Sequence, residues 1–309
     1  MTIPAAILLP ALLAGLAVAV WAVWVEPRRF RTRRFRFDAA ALGLPALKVL
    51  HLSDTHFHGR DEPILRFLED LARREPYDLV VWTGDLIDRA GGVGSLARAV
   101  RVFQPRLGSF AVLAGHDYWR YGVSEAYMRL LPRWRRRKRS RANPAADVKQ
   151  ALAAGSVRVL EDESCVVRTE EGVGLAIVGL QDAFVEEPDH SAAWAGVPSG
   201  LPVVVLSHSP DVREETGRRG ACLAFCGHTH GGQVRFPIVG ALVTRSTLPG
   251  RLASGAFRSG PTTYVLGNGL GASPATPFRL LCPPEAVVVE LTASGGEEAL
   301  SPIREAGDV

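Results

Sequence analysis

The feature that most constrains the fold of this 309-residue chain is a series of short apolar runs spread along its length. The runs are rich in β-branched residues and are bounded by Gly, Pro, Asp or Ser, a pattern typical of buried β-strands. They cover residues 47–52, 79–83, 110–113, 175–178, 203–206, 223–225, 264–266 and 286–291. The sequence therefore predicts the strands of a sheet core.

Helical patterns lie between several of these strands. Residues 63–74 carry four apolar side chains at helical spacing, and residues 95–103 show a similar pattern. Alternating strands and helices are typical of an α/β layered domain, and the strand-rich part after Val234 favours mixed sheets over purely parallel ones. With 47% hydrophobic and 22% charged residues, the composition excludes a largely disordered or collagen-like chain.

The amino end is an uncharged apolar segment. Ile3 to Val25 is a run of 23 residues without a charge, which at about 1.5 Å per residue can cross a ~30 Å hydrocarbon core. The run is too long and lacks the preceding basic stretch of a cleaved signal peptide, and it has no polar face as a core helix would. We therefore predict an uncleaved membrane anchor.

Two further features bear on its orientation. Six Arg residues lie within residues 26–36, directly after the span, and by the positive-inside tendency they place the rest of the chain in the cytoplasm. The four Cys residues are too few and too scattered for a disulfide framework, so we interpret them as reduced, which favours the same side.

Acidic and imidazole side chains follow five of the predicted strands directly. Because open α/β sheets gather their ligands at the carboxyl ends of the strands, we expect these five loops to converge on one place. The loops are residues 53–56, 84–88, 115–117, 207–209 and 227–232. Each taken singly has an ordinary explanation, such as a helix cap or a packed histidine, and only the ordered set is specific.

The donors in these loops indicate a metal centre. They are carboxylate oxygens and imidazole nitrogens with no thiolate among them. Such a set suits Mn, Fe, Zn or Ni, which the sequence does not distinguish, rather than a thiolate zinc site.

In chain order, these loops resemble the motifs of the calcineurin-like metallophosphoesterases: Asp-x-His, Gly-Asp-x-x-Asp, Gly-Asn-His-Asp or Glu, a lone His, and Gly-His-x-His. The resemblance covers about residues 47–291 and is greatest with a membrane-anchored branch of small bacterial phosphohydrolases, on residues 116–119, 231–234, 269–271 and 282–285. It implies an α/β fold, a four-layer αββα sandwich of two mixed sheets, with one N-terminal transmembrane helix.

Position by position, the resemblance implies two divalent metal ions with Asp85 bridging them. The implied ligands are Asp54, His56, Asp85 and His230 for one ion, and Asp85, His208 and His228 for the other. Two cations about 3.5–4 Å apart lower the pKa of a bridging water and neutralise phosphoryl oxygens during an in-line displacement.

Three nearby residues are predicted to support the reaction. His116 matches no ligand, so we expect it to stabilise developing charge or to protonate the leaving oxygen, with Asp117 orienting its ring. A helix cap is the alternative for Asp117. Asp88 is interpreted as a residue that supports the ligands or ties the loop rather than as a direct ligand.

One position departs from the family pattern. Gly115 stands where the family has an Asn whose amide oxygen would bind the second metal. A water could fill that position, or Gln181 or Asp182 could reach in. The alternative function is therefore a catalytically weakened or inactive metal-binding scaffold.

Residues 118–150 form a basic, aromatic insertion beside His116. Eight Arg or Lys residues lie between Arg129 and Arg141 with no acid among them. On a tethered protein the insertion could lie on an anionic membrane surface, with about 1 kcal/mol from each basic residue, and act as a lid for a lipid-linked phosphate. A solvated loop is the alternative; nucleic acid ranks last because no binding module accompanies the run.

These features predict an anchor over residues 1–26, a basic linker over 27–46, a catalytic domain over 47–292 and a flexible tail over 293–309. The predicted protein is a single-pass phosphohydrolase of the inner, cytoplasmic membrane whose catalytic domain faces the cytoplasm. Its predicted substrate is a phosphoester or pyrophosphate on a small molecule or a lipid, most specifically a nucleotide-sugar lipid pyrophosphate, and no nucleic acid partner is expected.

Overall fold

The computed structural model describes residues 5–122, 141–273, 276–293 and 303–305. The strands in chain order are β1 (Arg31–Asp38), β2 (Leu47–Leu52), β3 (Leu79–Thr83), β4 (Gly108–Val112), β5 (Trp119–Arg120), β6 (Arg141–Ala142), β7 (Val157–Val159), β8 (Glu163–Arg168), β9 (Gly174–Gly179), β10 (Val203–Ser207), β11 (Leu223–Cys226), β12 (Arg235–Phe236), β13 (Gly240–Ala241), β14 (Gly255–Ser259), β15 (Thr262–Leu266), β16 (Glu285–Thr292) and β17 (Arg304–Glu305). The α-helices are α1 (Ala5–Val20), α2 (Glu62–Arg74), α3 (Val93–Val100), α4 (Gly115–Tyr118), α5 (Ala145–Ala154), α6 (His190–Trp194) and α7 (Arg213–Arg218).

Two mixed sheets hold most of the strands. The first has the order β1-β16-β2-β3-β4-β7, in which only the β16–β2 pair is antiparallel. The second has the order β17-β14-β15-β11-β10-β9-β8, with parallel strands β9, β10, β11 and β15 at its centre. The apolar runs predicted as strands all lie in these sheets.

Three cores separate four layers. Val49, Val81 and Phe37 of the first sheet pack with Leu206 and Phe225 of the second in the core between the sheets. Helices α2, α3 and α5 cover the outer face of the first sheet, and α6 together with the loop around residue 252 packs on the outer face of the second. The predicted αββα sandwich of two mixed sheets is therefore confirmed.

Helix α2 shows how the pattern determines the packing. Its apolar residues Ile64, Leu65, Leu68 and Leu71 are all buried, because a spacing of three and four places them on one face. Acidic Glu62 lies in its first turn and basic residues lie in its last turn, which complements the helix dipole.

The prediction of a basic linker over residues 27–46 requires a correction. Residues 31–38 form β1, which pairs in parallel with β16 at the edge of the first sheet. Phe35 and Phe37 point into the core between the sheets, while Arg34 and Arg36 form ion pairs with Glu290. Arg and Phe alternate with a period of two, so this segment is a half-buried strand with a charged outer face.

The amino-terminal helix continues from α1 through a π-helical turn (Trp21–Val25) and a 3₁₀ turn (Glu26–Arg28). Within the described ranges, Leu9–Arg28 is the one helix that is long and apolar enough to cross a membrane, and only 6% of its apolar window is buried. That exposure is contrary to a core helix, which would be covered by the rest of the fold.

The ends of the insertion and part of the tail are described. Strands β5 and β6 pair in a two-stranded ribbon on either side of residues 123–140, which hold most of the basic run and lie outside the described residues. Residues 145–150, predicted as the end of the insertion, belong instead to the core helix α5. Strand β17 pairs with β14, and Arg304 donates hydrogen bonds to the carbonyls of Arg251 and Ser254. Two residues of the tail, 304 and 305, thus form a short edge strand, and its flexibility stays a prediction.

Candidate metal centre

Loops at the carboxyl ends of β2, β3, β4, β10 and β11 meet at one edge of the two sheets. Backbone hydrogen bonds join them: Asp54 N–H donates to Gly84 O (3.0 Å), and Gly227 N–H donates to His208 O (3.0 Å). The His116 N–H donates to Asp85 Oδ1 (2.9 Å). The structure thus brings the five predicted loops together.

The backbone at this edge adopts an uncommon conformation. Five of the predicted ligands have a left-handed backbone: Asp54 (φ +49°), His56 (+45°), Asp85 (+51°), His228 (+69°) and His230 (+49°). Such residues cost about 1–3 kcal/mol each and persist only where the surrounding structure fixes them. The turns at this edge fix the backbone positions of these donor residues.

Asp54, His56 and His230 form the first donor group, in which all ligand atoms lie within 4.8 Å of one another. The Nε2 atoms of His56 and His230 are 3.1 Å apart, and His230 Nε2 lies 3.3 Å from Asp54 Oδ1. Burial lowers the pKa of His56 to about 3 and that of His230 well below its usual value. Both rings are therefore neutral, the form that binds metals.

The surroundings of Asp54 Oδ2 show whether this donor group fits a cation. Asp54 is fully buried, and within the described part of the chain its Oδ2 has no hydrogen-bond partner. Burial raises the pKa of Asp54 to about 6. A buried carboxylate is stable when it is paired or coordinates a metal, and two nitrogens 3.1 Å apart can both lie about 2.1 Å from one ion. The donors present fit a divalent metal.

Asp54, Asp85 and His208 form a second donor group. His208 Nδ1–H donates to Thr83 O (2.7 Å), which fixes the ring so that Nε2 faces Asp85 Oδ2 at 3.4 Å. Asp85 also belongs to a third group, with His56 and His116. It therefore lies between the two ligand sets that the sequence predicts.

His228 lies beside this cluster but is in none of the three groups. Its ring is 5.1 Å from that of His208, and its backbone N–H donates to Asp54 Oδ1 (3.2 Å). Its Nε2–H donates to Arg245 O (3.0 Å), so Nδ1 keeps its lone pair. The assignment of His228 as a ligand therefore remains a prediction.

The environment of Gly115 shows what stands near the missing amide. Gly115 N–H donates to Oδ2 of the buried Asp182 (2.8 Å), whose Oδ1 accepts from Phe184 N–H (3.3 Å). A Cβ atom at residue 115 would lie 2.9 Å from the hydroxyl of Tyr121 and 3.7 Å from Asp182 Oδ2. A carboxylate thus lies next to the space that an Asn side chain would enter.

Asp117 requires a correction. Its Oδ1 accepts from the N–H groups of Leu86 (2.8 Å) and Ile87 (3.1 Å), and its Oδ2 accepts from that of Ala114 (2.9 Å). No hydrogen bond joins it to the His116 ring among the described residues. With both oxygens committed to backbone groups, Asp117 ties the loops after β3 and β4 together and caps α4, which is the alternative that the sequence left open.

Asp88 faces the His116 ring instead. Its Oδ1 lies 3.5 Å from His116 Nδ1 and 3.9 Å from His56 Nδ1, and it accepts a hydrogen bond from Ser273 Oγ (2.8 Å). The His116 ring packs edge-on against that of His56, with centroids 4.6 Å apart. Asp88 therefore lies next to both imidazole rings.

Sequence reasoning missed two polar residues here. Asn143 Nδ2 donates to His116 O (2.7 Å), so the far end of the insertion helps hold the His116 loop. The fully buried Arg279 donates to Asn268 O (2.8 Å) and Gly271 O (2.6 Å), and its Nη2 lies 3.4 Å from His230 Nδ1. Neither has a motif around it, and only the fold shows that they are buried beside the centre.

This fold and this set of strand-end carboxylates and imidazoles define a metal-dependent phosphoesterase. The chain matches the calcineurin-like phosphoesterase family over residues 47–232, more than half its length, and it belongs to that family. It is a hydrolase acting on phosphoester bonds, and the family uses two divalent metal ions. The predicted family, enzyme class and cofactors are confirmed.

Three bacterial proteins are similar to this chain over most of their length. The chain is 24% identical over 282 residues to a Bacillus subtilis protein named metallophosphoesterase YkuE, covering 89% of this chain and 90% of the relative. It is 26% identical to phosphodiesterase YaeI of Escherichia coli, covering 87% and 88%. It is also 26% identical to UDP-2,3-diacylglucosamine pyrophosphatase LpxG of Chlamydia trachomatis, covering 71% and 74%.

Proposed function

We propose that this protein is a membrane-anchored phosphohydrolase that cleaves a lipid-linked phosphoester or pyrophosphate. The observation that carries the chemistry is the buried cluster around Asp54 and Asp85, with two neutral imidazoles converging beside a carboxylate oxygen that has no hydrogen-bond partner among the residues that the structure describes. Support for the lipid comes from the exposed apolar helix Leu9–Arg28 and from the relative named as a diacylglucosamine pyrophosphatase.

The proposed orientation places the catalytic domain in the cytoplasm. It rests on the arginines that follow the span. Part of that charge has a second role, because Arg34 forms ion pairs with Glu75 and Glu290, and Arg36 with Glu290. The unpaired basic charge next to the span is therefore smaller than the sequence alone indicates.

The proposed ligands are those that the resemblance implies. Asp54, His56 and His230 would hold one ion, His208 and His228 the other, and Asp85 both. When bound, the pair supplies a nucleophile at neutral pH and neutralises phosphoryl charge.

The chain's own residues supply positioning and a proton. Asp85 holds the backbone of His116 through its N–H, so the loop carrying His116 is fixed relative to the ligands. Asp88 faces Nδ1 of His116, which orients the ring so that it can donate a proton to the leaving oxygen. Asp117 and Asn143 also fix this loop through hydrogen bonds to its backbone. Asp117 accepts from the N–H of Ala114, and Asn143 donates to the carbonyl of His116.

Kinetic assays of the full chain in detergent with Mn²⁺ test this function on two substrates. One is the soluble diester bis-nitrophenyl phosphate, and the other is UDP-diacylglucosamine in mixed micelles. We expect turnover of both that a chelator stops, with kcat/KM at least about tenfold higher for the lipid, since tenfold is about 1.4 kcal/mol and two buried CH₂ groups supply that. Rates that are insensitive to the chelator, or equal to those of an Asp54→Asn control, contradict the proposal.

Asp182 is proposed to replace the missing amide at the second metal. Replacing Asp182 with Ala is expected to lower the bound metal from two ions to about one per chain and kcat by about 10–100-fold. Metal analysis and kinetics on the same samples measure both. The control is Glu187→Ala, because Glu187 is exposed in the same loop. Two ions retained in Asp182→Ala would show that Asp182 is not a ligand.

The assay on the two substrates, combined with metal analysis, also separates the enzyme from the second candidate function, a metal-binding scaffold, which Gly115 favours. A wild-type chain that binds metal but turns over neither substrate faster than Asp54→Asn is a scaffold. A wild-type chain with two ions and chelator-sensitive turnover is an enzyme.

A further inference from the structure

A short hairpin beside the metal centre exposes an apolar surface. Strands β12 and β13 pair in an antiparallel arrangement directly after the loop that carries His228 and His230. We call residues 235–243 the apolar hairpin. Its exposed large side chains are Phe236, Ile238, Val239, Leu242 and Val243. Clusters of this kind usually mark a contact with a partner or a membrane.

The backbone at the tip of the hairpin is strained, and no contact within the described residues offsets the strain. Ile238 has φ +70°, a left-handed conformation that is a clear outlier for a β-branched residue. Its side chain is fully exposed, so contacts within the described chain do not offset that strain. A glycine or asparagine would be the ordinary residue for this turn, and the isoleucine indicates an apolar environment outside the chain.

The apolar hairpin and the anchor are held by the same short segment. Arg279 N–H donates to Ala22 O (2.8 Å), and Cys282 N–H donates to Glu26 Oε1 (2.7 Å), which joins the segment to the end of the anchor helix. Between these residues, Leu280 pairs with the start of the hairpin through its N–H to Gln233 O (2.8 Å) and its carbonyl to Arg235 N–H (3.0 Å). Leu281, the next residue, is exposed.

The apolar hairpin is also connected to the metal centre. Arg235 Nη1 donates to Gly231 O (2.9 Å), in the turn that follows His230. Just beyond the hairpin, the carbonyl of Arg245 accepts the hydrogen bond from His228 Nε2 (3.0 Å). Whatever the hairpin touches therefore lies close to two of the proposed metal ligands.

We propose that the apolar hairpin inserts into the bilayer interface beside the anchor and holds the metal centre against the membrane surface. The bilayer is the occupant that the contacts favour, because an anchor joined to the hairpin through residues 279–282 already brings hydrocarbon to this side of the domain. The inference rests on the proposed membrane anchoring. It gives the lipid-linked substrate a route to the centre that does not require the phosphate to leave the membrane surface.

Depth measurements on the full chain test the insertion. The full chain with Ile238→Cys is spin-labelled and placed in nanodiscs of phosphatidylethanolamine and phosphatidylglycerol. The matched control is Val173→Cys, which is 48% exposed in the turn between β8 and β9, and the unsubstituted chain labelled in the same way gives the background of the native cysteines. We expect the label at 238 to collide more with oxygen than with a water-soluble nickel chelate, and the label at 173 to show the reverse. Equal behaviour at both sites, or shielding of 238 from both reagents, overturns the proposal, the second outcome indicating a protein contact.

A kinetic test uses Ile238→Asp, which introduces a charge with a residue type that tolerates positive φ. We expect KM for UDP-diacylglucosamine in bilayers to rise about tenfold, with unchanged turnover of bis-nitrophenyl phosphate and no change in Val173→Asp. An unchanged KM for the lipid contradicts the inference. A wild-type chain that hydrolyses neither substrate refutes the proposed function instead, and the spin-label result stands independently of it.

Discussion

Replacing Asp85 with Ala is expected to remove bound metal and to lower kcat by about 10³-fold or more. Asp85 contributes to two of the three donor groups, faces His208 Nε2 at 3.4 Å and holds the backbone of His116. A metal pair contributes several kcal/mol of transition-state stabilisation, and about 4 kcal/mol corresponds to 10³-fold. Loss of the shared carboxylate removes the stabilisation from both ions together.

The matched control for Asp85→Ala is Asp78→Ala. Asp78 is also buried, but it precedes β3 at the opposite end of the strand, where it accepts from Lys48 N–H (2.7 Å) and pairs with Arg106. Its loss is expected to lower the unfolding temperature and to leave metal content and kcat near wild type. Equal metal content in Asp85→Ala and wild type would show that Asp85 does not bridge the ions.

Replacing His116 with Ala is expected to lower kcat by about 10²–10⁴-fold, the range typical of general acid–base catalysis, with metal content unchanged. His116 faces Asp88 at 3.5 Å and lies beside the cluster. A proton donor is needed most when the leaving group is a poor one. The loss should therefore be much larger for an alkyl phosphodiester than for a nitrophenyl ester, and kinetics with both esters measure the difference.

Two comparisons sharpen the assignment of His116. Asp88→Asn should reproduce the same leaving-group dependence with a loss of about 10–100-fold, because Asp88 acts through the ring. His190→Ala removes a histidine of α6 that packs near Trp194 and belongs to none of the three donor groups, and it should change nothing. An equal loss for both leaving groups, or loss of metal from His116→Ala, would identify His116 as a ligand rather than an acid.

The strand-end loops show what a single sequence can predict. Apolar runs identify strands of a layered fold, and Asp54 or His208 directly after such a run must lie at the carboxyl edge of a sheet. That edge is where the structure has them, with the donor atoms of each group within 4.8 Å. Local pattern and topology agree here, so the position of the site follows from the sequence.

The remaining features depend on contacts between distant segments. Strand β1 is mostly charged on one face, and its identity as a strand depends on pairing with β16, over 240 residues away. Asp117 and Asp88 both follow strands in similar motifs, and only the direction of each side chain shows that Asp117 binds backbone while Asp88 faces His116. A lone arginine such as Arg279 normally indicates surface, and nothing local predicts its burial.

The central claim is that Asp54, Asp85 and the imidazoles around them hold two metal ions that Asp85 shares. Crystals of the full chain grown with Mn²⁺ test it directly through anomalous scattering. We expect two anomalous peaks about 3.5–4 Å apart, both within bonding distance of the Asp85 carboxylate, one also contacting His56 and the other His208. A single peak, or peaks that Asp85 does not contact, would contradict it.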